Sequence, residues 1–126
     1  MNNWVLIVDD NPLNLKLARV TLETEGFEVR TAVDAEEAIW MIEAAPPRLI
    51  LMDIQLPGMD GLELTRRLKR EPATARIRII AVTAYAMTGD EDKALAAGCD
   101  GYLRKPFDPI ALPAIVAPYV QPREKT

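Results

Sequence analysis

Stretches dense in valine, isoleucine and leucine alternate along the chain with segments in which apolar residues return at helical spacing. Strands are read at Trp4–Asp9, Phe27–Ala32, Leu49–Asp53, Ile77–Thr83 and Gly101–Arg104, and the alternation itself dictates βαβ units. The first, third and fourth runs are almost continuously hydrophobic, as inner strands of a parallel sheet are when helices cover both faces. The intervening helices carry start and stop signals. Asn11-Pro12 and Asp108-Pro109 pair an N-cap with proline at the first helical position. Asp34 with Glu37, Asp60 with Glu63 and Thr88 with Glu91 have capping-box spacing, while Gly26 and Gly98 stand where helix C-caps belong. Right-handed crossovers between five strands and five helices give an α/β fold, a doubly wound parallel sheet in a three-layer sandwich. Its ligand site is expected beyond the carboxyl ends of the strands, near the switch point in strand order. Pro113 and Pro118 fall in the last helix, which is therefore expected to be short, kinked or split.

At 126 residues, 49% hydrophobic and 27% charged, the chain reads as one soluble globular domain over residues 1–121 with a short polar tail at 122–126. No apolar run reaches the ~18 residues of a membrane helix. The longest, from Ile79 to Met87, is interrupted by Thr83 and Tyr85. "MNNWVLIVDD" lacks the basic and long apolar segments of a secretion signal, so a cytoplasmic location with no membrane partner is expected. The single cysteine, Cys99, excludes an internal disulfide and reads as a small buried thiol beside a helix end. A net charge of −4 opposes a nucleic-acid partner. "RRLKR", Arg66 to Arg70, is the one candidate basic patch, and a solvated helix end complementing the dipole accounts for it. The absence of histidine removes Ser-His and Cys-His catalysis and histidine-based zinc sites.

Polar residues at the strand ends point into the crevice. The first strand ends in Asp9-Asp10, the third in Asp53 and the fourth in Thr83, and the fifth is followed by Lys105-Pro106. Each alone has a plain structural explanation: a helix cap, a β-branched strand residue, a surface lysine. Together they are harder to explain that way. Three carboxylates packed together need a cation, or one of them must take up a proton. Oxygen donors without His or Cys suit a hard ion, and few protein ligands with room for waters and phosphate oxygens suit Mg²⁺ better than Ca²⁺. With a lysine and a hydroxyl added, the set meets the needs of phosphoryl transfer, and the available nucleophile is a carboxylate. G-x-x-x-x-G-K-[ST] and G-x-G-x-x-G are both missing, which disfavours nucleotide binding.

"VLIVDDN", "LILMDIQLPGMDGLEL", "IIAVTAYA" and "GYLRKPF" closely resemble, in order and spacing, blocks of the receiver (response-regulator) domain of two-component signalling. The general look is that of single-domain regulators of the chemotaxis and DivK cell-division type, and "DDNPLNLKL" also resembles receivers inside hybrid sensor kinases. The resemblance spans practically the whole chain and implies a flavodoxin-like fold. It implies that Asp53 is the phosphoacceptor, attacking the phosphohistidine of a histidine kinase or histidine phosphotransfer protein. Asp10, Asp53 and the backbone carbonyl of Gln55 would then ligate Mg²⁺, with Asp9 acting largely through water. Lys105 would contact the phosphoryl oxygens or pair with Asp53, and its bond to Pro106 would be cis. Thr83 would swing onto the phosphoryl group and Tyr102 turn inward after it. Ile54, Ala84, Gln55 and Tyr85 would flank the phosphoryl site. A downstream protein would read the switch. It is not read as an enzyme, although it assists its own phosphorylation and dephosphorylation.

Receivers of this family that dimerise commonly use the face built by the fourth helix, fifth strand and fifth helix, which Pro113 and Pro118 disrupt here, so a monomer or weak dimer is expected. Leu13, Leu15, Leu17, Ala18, Val20 and Leu22 occupy more of the first helix than one core stripe needs, and Leu13 with Val20 is read as part of a docking patch for the phosphodonor. Two alternatives accompany the stand-alone switch that the start and short tail favour. One is a receiver excised from a hybrid kinase or multidomain regulator. The other is a Mg²⁺-dependent small-molecule phosphatase, against which Gln55 stands where a second catalytic Asp would be needed.

Overall fold

The computed structural model describes residues 3–83, 90–105 and 108–122. Five strands, β1 (Val5–Val8), β2 (Val29–Ala32), β3 (Leu49–Asp53), β4 (Arg78–Thr83) and β5 (Gly101–Arg104), alternate with helices α1 (Pro12–Thr24), α2 (Ala35–Ala44), α3 (Gly61–Arg70), α4 (Asp90–Ala97) and α5 (Leu112–Val116). All strand pairs are parallel, in the order β2-β1-β3-β4-β5.

The period of two along a strand sorts the hydrophobic runs between two cores. Val5, Ile7, Leu49, Leu51, Ile80 and Val82 pack with Leu15, Ala18 and Leu22 of α1 and Leu112 and Val116 of α5. Leu6, Val8, Ile50, Met52, Ile79 and Ala81 pack on the other face with Ala38 and Ile42 of α2, Leu64 and Leu68 of α3 and Ala94 of α4. Each valine, leucine, isoleucine or methionine among these contributes about 1.5–3 kcal/mol on burial, so both faces hold the central strands in place beneath whatever their ends carry.

The strand readings hold to within two residues. β2 starts late because Phe27 belongs to the helix terminator: its amide donates to Leu22 O and that of Gly26 to Glu23 O, with Gly26 at φ 94°. Gly98 ends α4 the same way, at φ 109°, and the next residue, Cys99, is buried. Asn11, Asp34 and Asp60 cap their helices, each side chain accepting from a first-turn amide. Thr88, the proposed cap of α4, lies outside the described residues.

The last helix is both short and split. Asp108 caps a 3₁₀ turn over Pro109–Ala111, and α5 follows with five residues. Neither proline costs a hydrogen bond: Pro113 sits in the first turn, where an amide has no intrahelical acceptor, and Pro118 lies past the helix end. The segment after α5 is tied to the start of β1, because Asn3 Nδ2 donates to Gln121 O at 2.7 Å and the Gln121 amide donates to Asn3 Oδ1 at 3.1 Å.

Candidate functional site

From β1 the chain moves outward to β2 in one direction and through β3 to β5 in the other, so the switch point lies between β1 and β3. The register that pairs Val8 with Met52 brings Asp9, just after β1, alongside Asp53, the last residue of β3. Both carboxylates are buried, whereas Asp10 is exposed. Lys105 follows β5, and its amide donates to Thr83 O at the end of β4 at 2.6 Å.

The Lys105 ammonium bridges the two buried carboxylates, 2.8 Å from Asp9 Oδ2 and 3.3 Å from Asp53 Oδ2. The pairing expected with Asp53 is therefore present, and the shorter contact goes to Asp9. Asp9 Oδ1 accepts the Asn11 amide at 2.9 Å and Asp53 Oδ1 the Gln55 amide at 2.9 Å. These two bonds aim the carboxylates from their own turns. Asn14 adds a long contact, Nδ2 to Asp9 Oδ2 at 3.4 Å.

One oxygen from each of Asp9, Asp10 and Asp53 lies within 4.8 Å of the others. A single ammonium among three carboxylates leaves negative charge uncompensated. Burial raises Asp53 above the ordinary carboxylate range and the charge of Asp9 adds to that, against the Gln55 amide and Lys105, which pull it down. Burial works against the Lys105 cation too, but its hydrogen bond to Asp9 and the charges of Asp53 and Asp9 outweigh it and push its titration upward. A cavity of about 490 Å³ adjoins the carboxylates, its walls including Leu17, Ala18 and Leu112 as well as Asp9, Asp53 and Lys105. Hard oxygen donors with a charge deficit fit a small divalent cation such as Mg²⁺.

Thr83 is buried at the end of β4, next to Val82, the strand partner of Asp53. Tyr102 and Ile54 are half-buried against the α2/α3/α4 core, and Gln55 is exposed. Ala84, Tyr85 and Pro106 lie outside the described residues.

Three residues that matter to the site or to the sheet beneath it escaped the sequence reading. Asn14 carries only a weak signal, one turn after the Asn11 cap. Gly61 opens α3, where its amide donates to Ile54 O at 3.1 Å. A Cβ there would collide with the backbone oxygen of Asp53 and lie 2.8 Å from Ile54 Cα, so only glycine lets α3 start this close to the strand carrying Asp53. The closing glycine of "PGMDG" was the available clue. Lys69, read as part of a solvated helix end, instead donates to Ile77 O at 2.7 Å and to Asp100 Oδ2 at 3.0 Å. Its reach corrects that reading for this residue, while Arg66, Arg67 and Arg70 are exposed as expected.

Residues 5–117 match the response regulator receiver domain. The polar-differentiation response regulator DivK of Brucella ovis is 45% identical over 107 residues, 85% of this chain and 87% of that protein. A CheY-like receiver from Methanospirillum hungatei superposes with a TM-score of 0.84 at 35% identity, covering 94% of this chain and 93% of that one. The Vibrio cholerae chemotaxis protein CheY4 does so at 0.86 and 28% identity, covering 95% and 100%. With the sheet order and the acidic switch point, these matches establish that the chain belongs to the response regulator receiver family, the signalling modules of two-component systems.

Proposed function

We propose that Asp53 is the phosphoacceptor of a signalling switch, and the observation that carries this is the carboxylate trio at the β1/β3 switch point with one lysine bridging two of its members. An Asp53 oxygen attacks the phosphorus of a phosphohistidine on a histidine kinase or histidine phosphotransfer protein. The O–P bond forms as the P–N bond breaks, and the imidazole leaves with the electron pair. Asp10, Asp53 and the Gln55 carbonyl would hold Mg²⁺, with Asp9 acting largely through water, and the bound ion would supply charge neutralisation for the phosphoryl oxygens. The Gln55 amide holds Asp53 in aim, and Lys105 transfers its ammonium from carboxylate to phosphoryl oxygen as charge moves outward.

The product places a dianion where a monoanion stood. Only groups that interact differently with it in two arrangements can shift a population, a role assigned to Thr83 and Lys105, with Tyr102 as the outward pointer to a downstream protein. Ile54, Ala84, Gln55 and Tyr85 would flank the phosphoryl group, with the Gln55 and Tyr85 side chains setting its lifetime, and the Lys105-Pro106 bond would be cis, as in the family. Residues 1–121 form the receiver unit and 122–126 a tail. The reading includes a cytoplasmic location, a monomer or weak dimer, and no nucleic-acid or membrane partner. No described helix is long and apolar enough to cross a membrane.

For the donor we assign the outward face of α1. Leu15, Ala18 and Leu22 are buried, leaving Leu13 at 72%, Leu17 at 50% and Val20 at 53% exposure on the other side. Charged substitutions at Leu13 and Val20 should slow transfer from the cognate donor and leave phosphorylation by acetyl phosphate unchanged. The central reading is tested by incubation with acetyl phosphate and Mg²⁺ followed by intact-mass measurement. A metal-dependent phosphoryl gain is expected in the wild type and none in Asp53→Asn; no gain in the wild type, or an equal gain in the variant, refutes it.

A further inference from the structure

Trp40 stands out on α2, because at 73% exposure it is among the most exposed large apolar side chains of the described residues. A tryptophan has a large apolar area to bury and one donor to satisfy, and surfaces seldom leave it open without use. Its neighbours along the helix are acidic: Glu36 and Glu37 lie one turn before it and Glu43 one turn after, all exposed. Glu36 and Glu37 suit the positive end of the helix dipole. Glu43 does not, since it adds negative charge to the last turn, where α2 carries no basic residue. Helix stability therefore does not account for the set. None of the three glutamates has an ion-pair partner among the described residues.

Two shallow depressions meet at this face. One is lined by Asp34, Glu36, Glu37 and Trp40, and the other passes Asp34, Glu36 and Ile39 towards Pro57, Gly58 and Met59 of the loop after β3, with Arg67 of α3 on its wall, so the acidic part of the face is the one beside Trp40. The surface thus combines an open indole, unpaired carboxylates within one turn and a groove beside it. The chain already shows what an indole takes: Arg30 places its guanidinium carbon 4.4 Å from the centre of the buried Trp4 ring. Trp40 has no such cation among the described residues.

We propose that the Trp40 face of α2 is a docking surface for an arginine-bearing segment of a partner protein. A guanidinium stacks on the indole while its neighbours pair with Glu36, Glu37 and Glu43, a combination that favours arginine over lysine because the planar cation stacks and forks at once. The surface lies on the opposite face of the sheet from α1 and does not depend on the phosphoacceptor assignment.

The test uses the full chain and a fluorescein-labelled seven-residue peptide of alternating arginine and leucine, followed by anisotropy. Saturable binding is expected, weakened about tenfold or more by Trp40→Ala and by the combined Glu36→Gln, Glu37→Gln and Glu43→Gln variant, and unchanged by Glu71→Gln at the C-cap of α3. The lysine version of the peptide should bind several-fold more weakly. No binding, equal binding to Trp40→Ala, or equal binding of the lysine peptide overturns the proposal. So does self-association of the wild type in sedimentation that Trp40→Ala abolishes, which would make a second copy of the chain the occupant.

Discussion

At each end of the sheet a lysine meets aspartate, and the two meetings are balanced in opposite ways. At the amino end, Asp100 receives the Ile79 amide at 2.9 Å, Lys69 at 3.0 Å and Arg78 at 3.1 Å. Burial alone would raise that carboxyl, but these donors outweigh it and hold it below the usual carboxylate range. At the carboxyl end one ammonium is divided between Asp9 and Asp53, and Asp53 is driven the other way. The same residue types make a closed structural joint in one place and an unfinished site in the other. What differs is the ratio of donors to acceptors. A surplus of donors fixes the fold, whereas a surplus of carboxylates leaves charge for a cation to balance.

The strongest way to break this contrast is to supply the missing charge. Mg²⁺ at a hundredfold its dissociation constant should raise the unfolding free energy of the wild type by about 2.7 kcal/mol. Asp10→Asn and Asp53→Asn should lose most of that gain, and Asp100→Asn should keep it, as read from urea midpoints with and without the metal. Next in size, Asp100→Ala should cost about 2 kcal/mol, because it leaves the Ile79 amide without its acceptor and the Lys69 charge without its carboxylate, although Lys69 keeps the Ile77 carbonyl. Asp53→Asn should go the other way and stabilise the metal-free protein by up to about 1 kcal/mol.

Titration sharpens the same comparison. The native state holds the Asp53 proton more tightly than the unfolded chain does, so the deficit of wild type relative to Asp53→Asn should be absent in acid. It should develop as pH rises from the ordinary carboxylate range through the raised value. For Asp100 the sign reverses. The advantage of wild type over Asp100→Asn should be full above the ordinary range and vanish as pH falls through the depressed value. Urea unfolding across an acid-to-neutral series decides both, and parallel profiles for the two variants would refute the contrast. The smallest effect is expected from Asn14→Ala, about 0.5 kcal/mol or less in the metal-free protein, in keeping with its 3.4 Å contact.

The carboxyl-end site was legible because strand ends converge whatever the loops do: Asp9, Asp53, Thr83 and Lys105 follow from knowing where each hydrophobic run stops. The amino-end joint was not. Lys69 and Asp100 stand 31 positions apart, and nothing local distinguishes a helix-end lysine that reaches under the sheet from one that points into water. Gly61 was hidden for a related reason, since its constraint is a backbone collision with another strand and no side-chain chemistry reveals it. The surplus of leucine and valine on α1 could be read as surplus, because 3.6-residue periodicity leaves only one stripe for the core. Of the two prolines read into the last helix, Pro113 lies there, in the first turn where it breaks nothing, and Pro118 falls just past the helix end.

The paired hydrogen bonds between Asn3 and Gln121 bring the beginning and the end of the fold to the pole of the sheet remote from Asp53. The backbone is thereby almost a closed ring. A short linker joining these ends, with new termini opened in an exposed loop, should yield a circular permutant in which the switch point is undisturbed. A reporter linked beside Asn3 or Gln121 would sit on the side of the sheet away from Asp53 and leave the crevice clear.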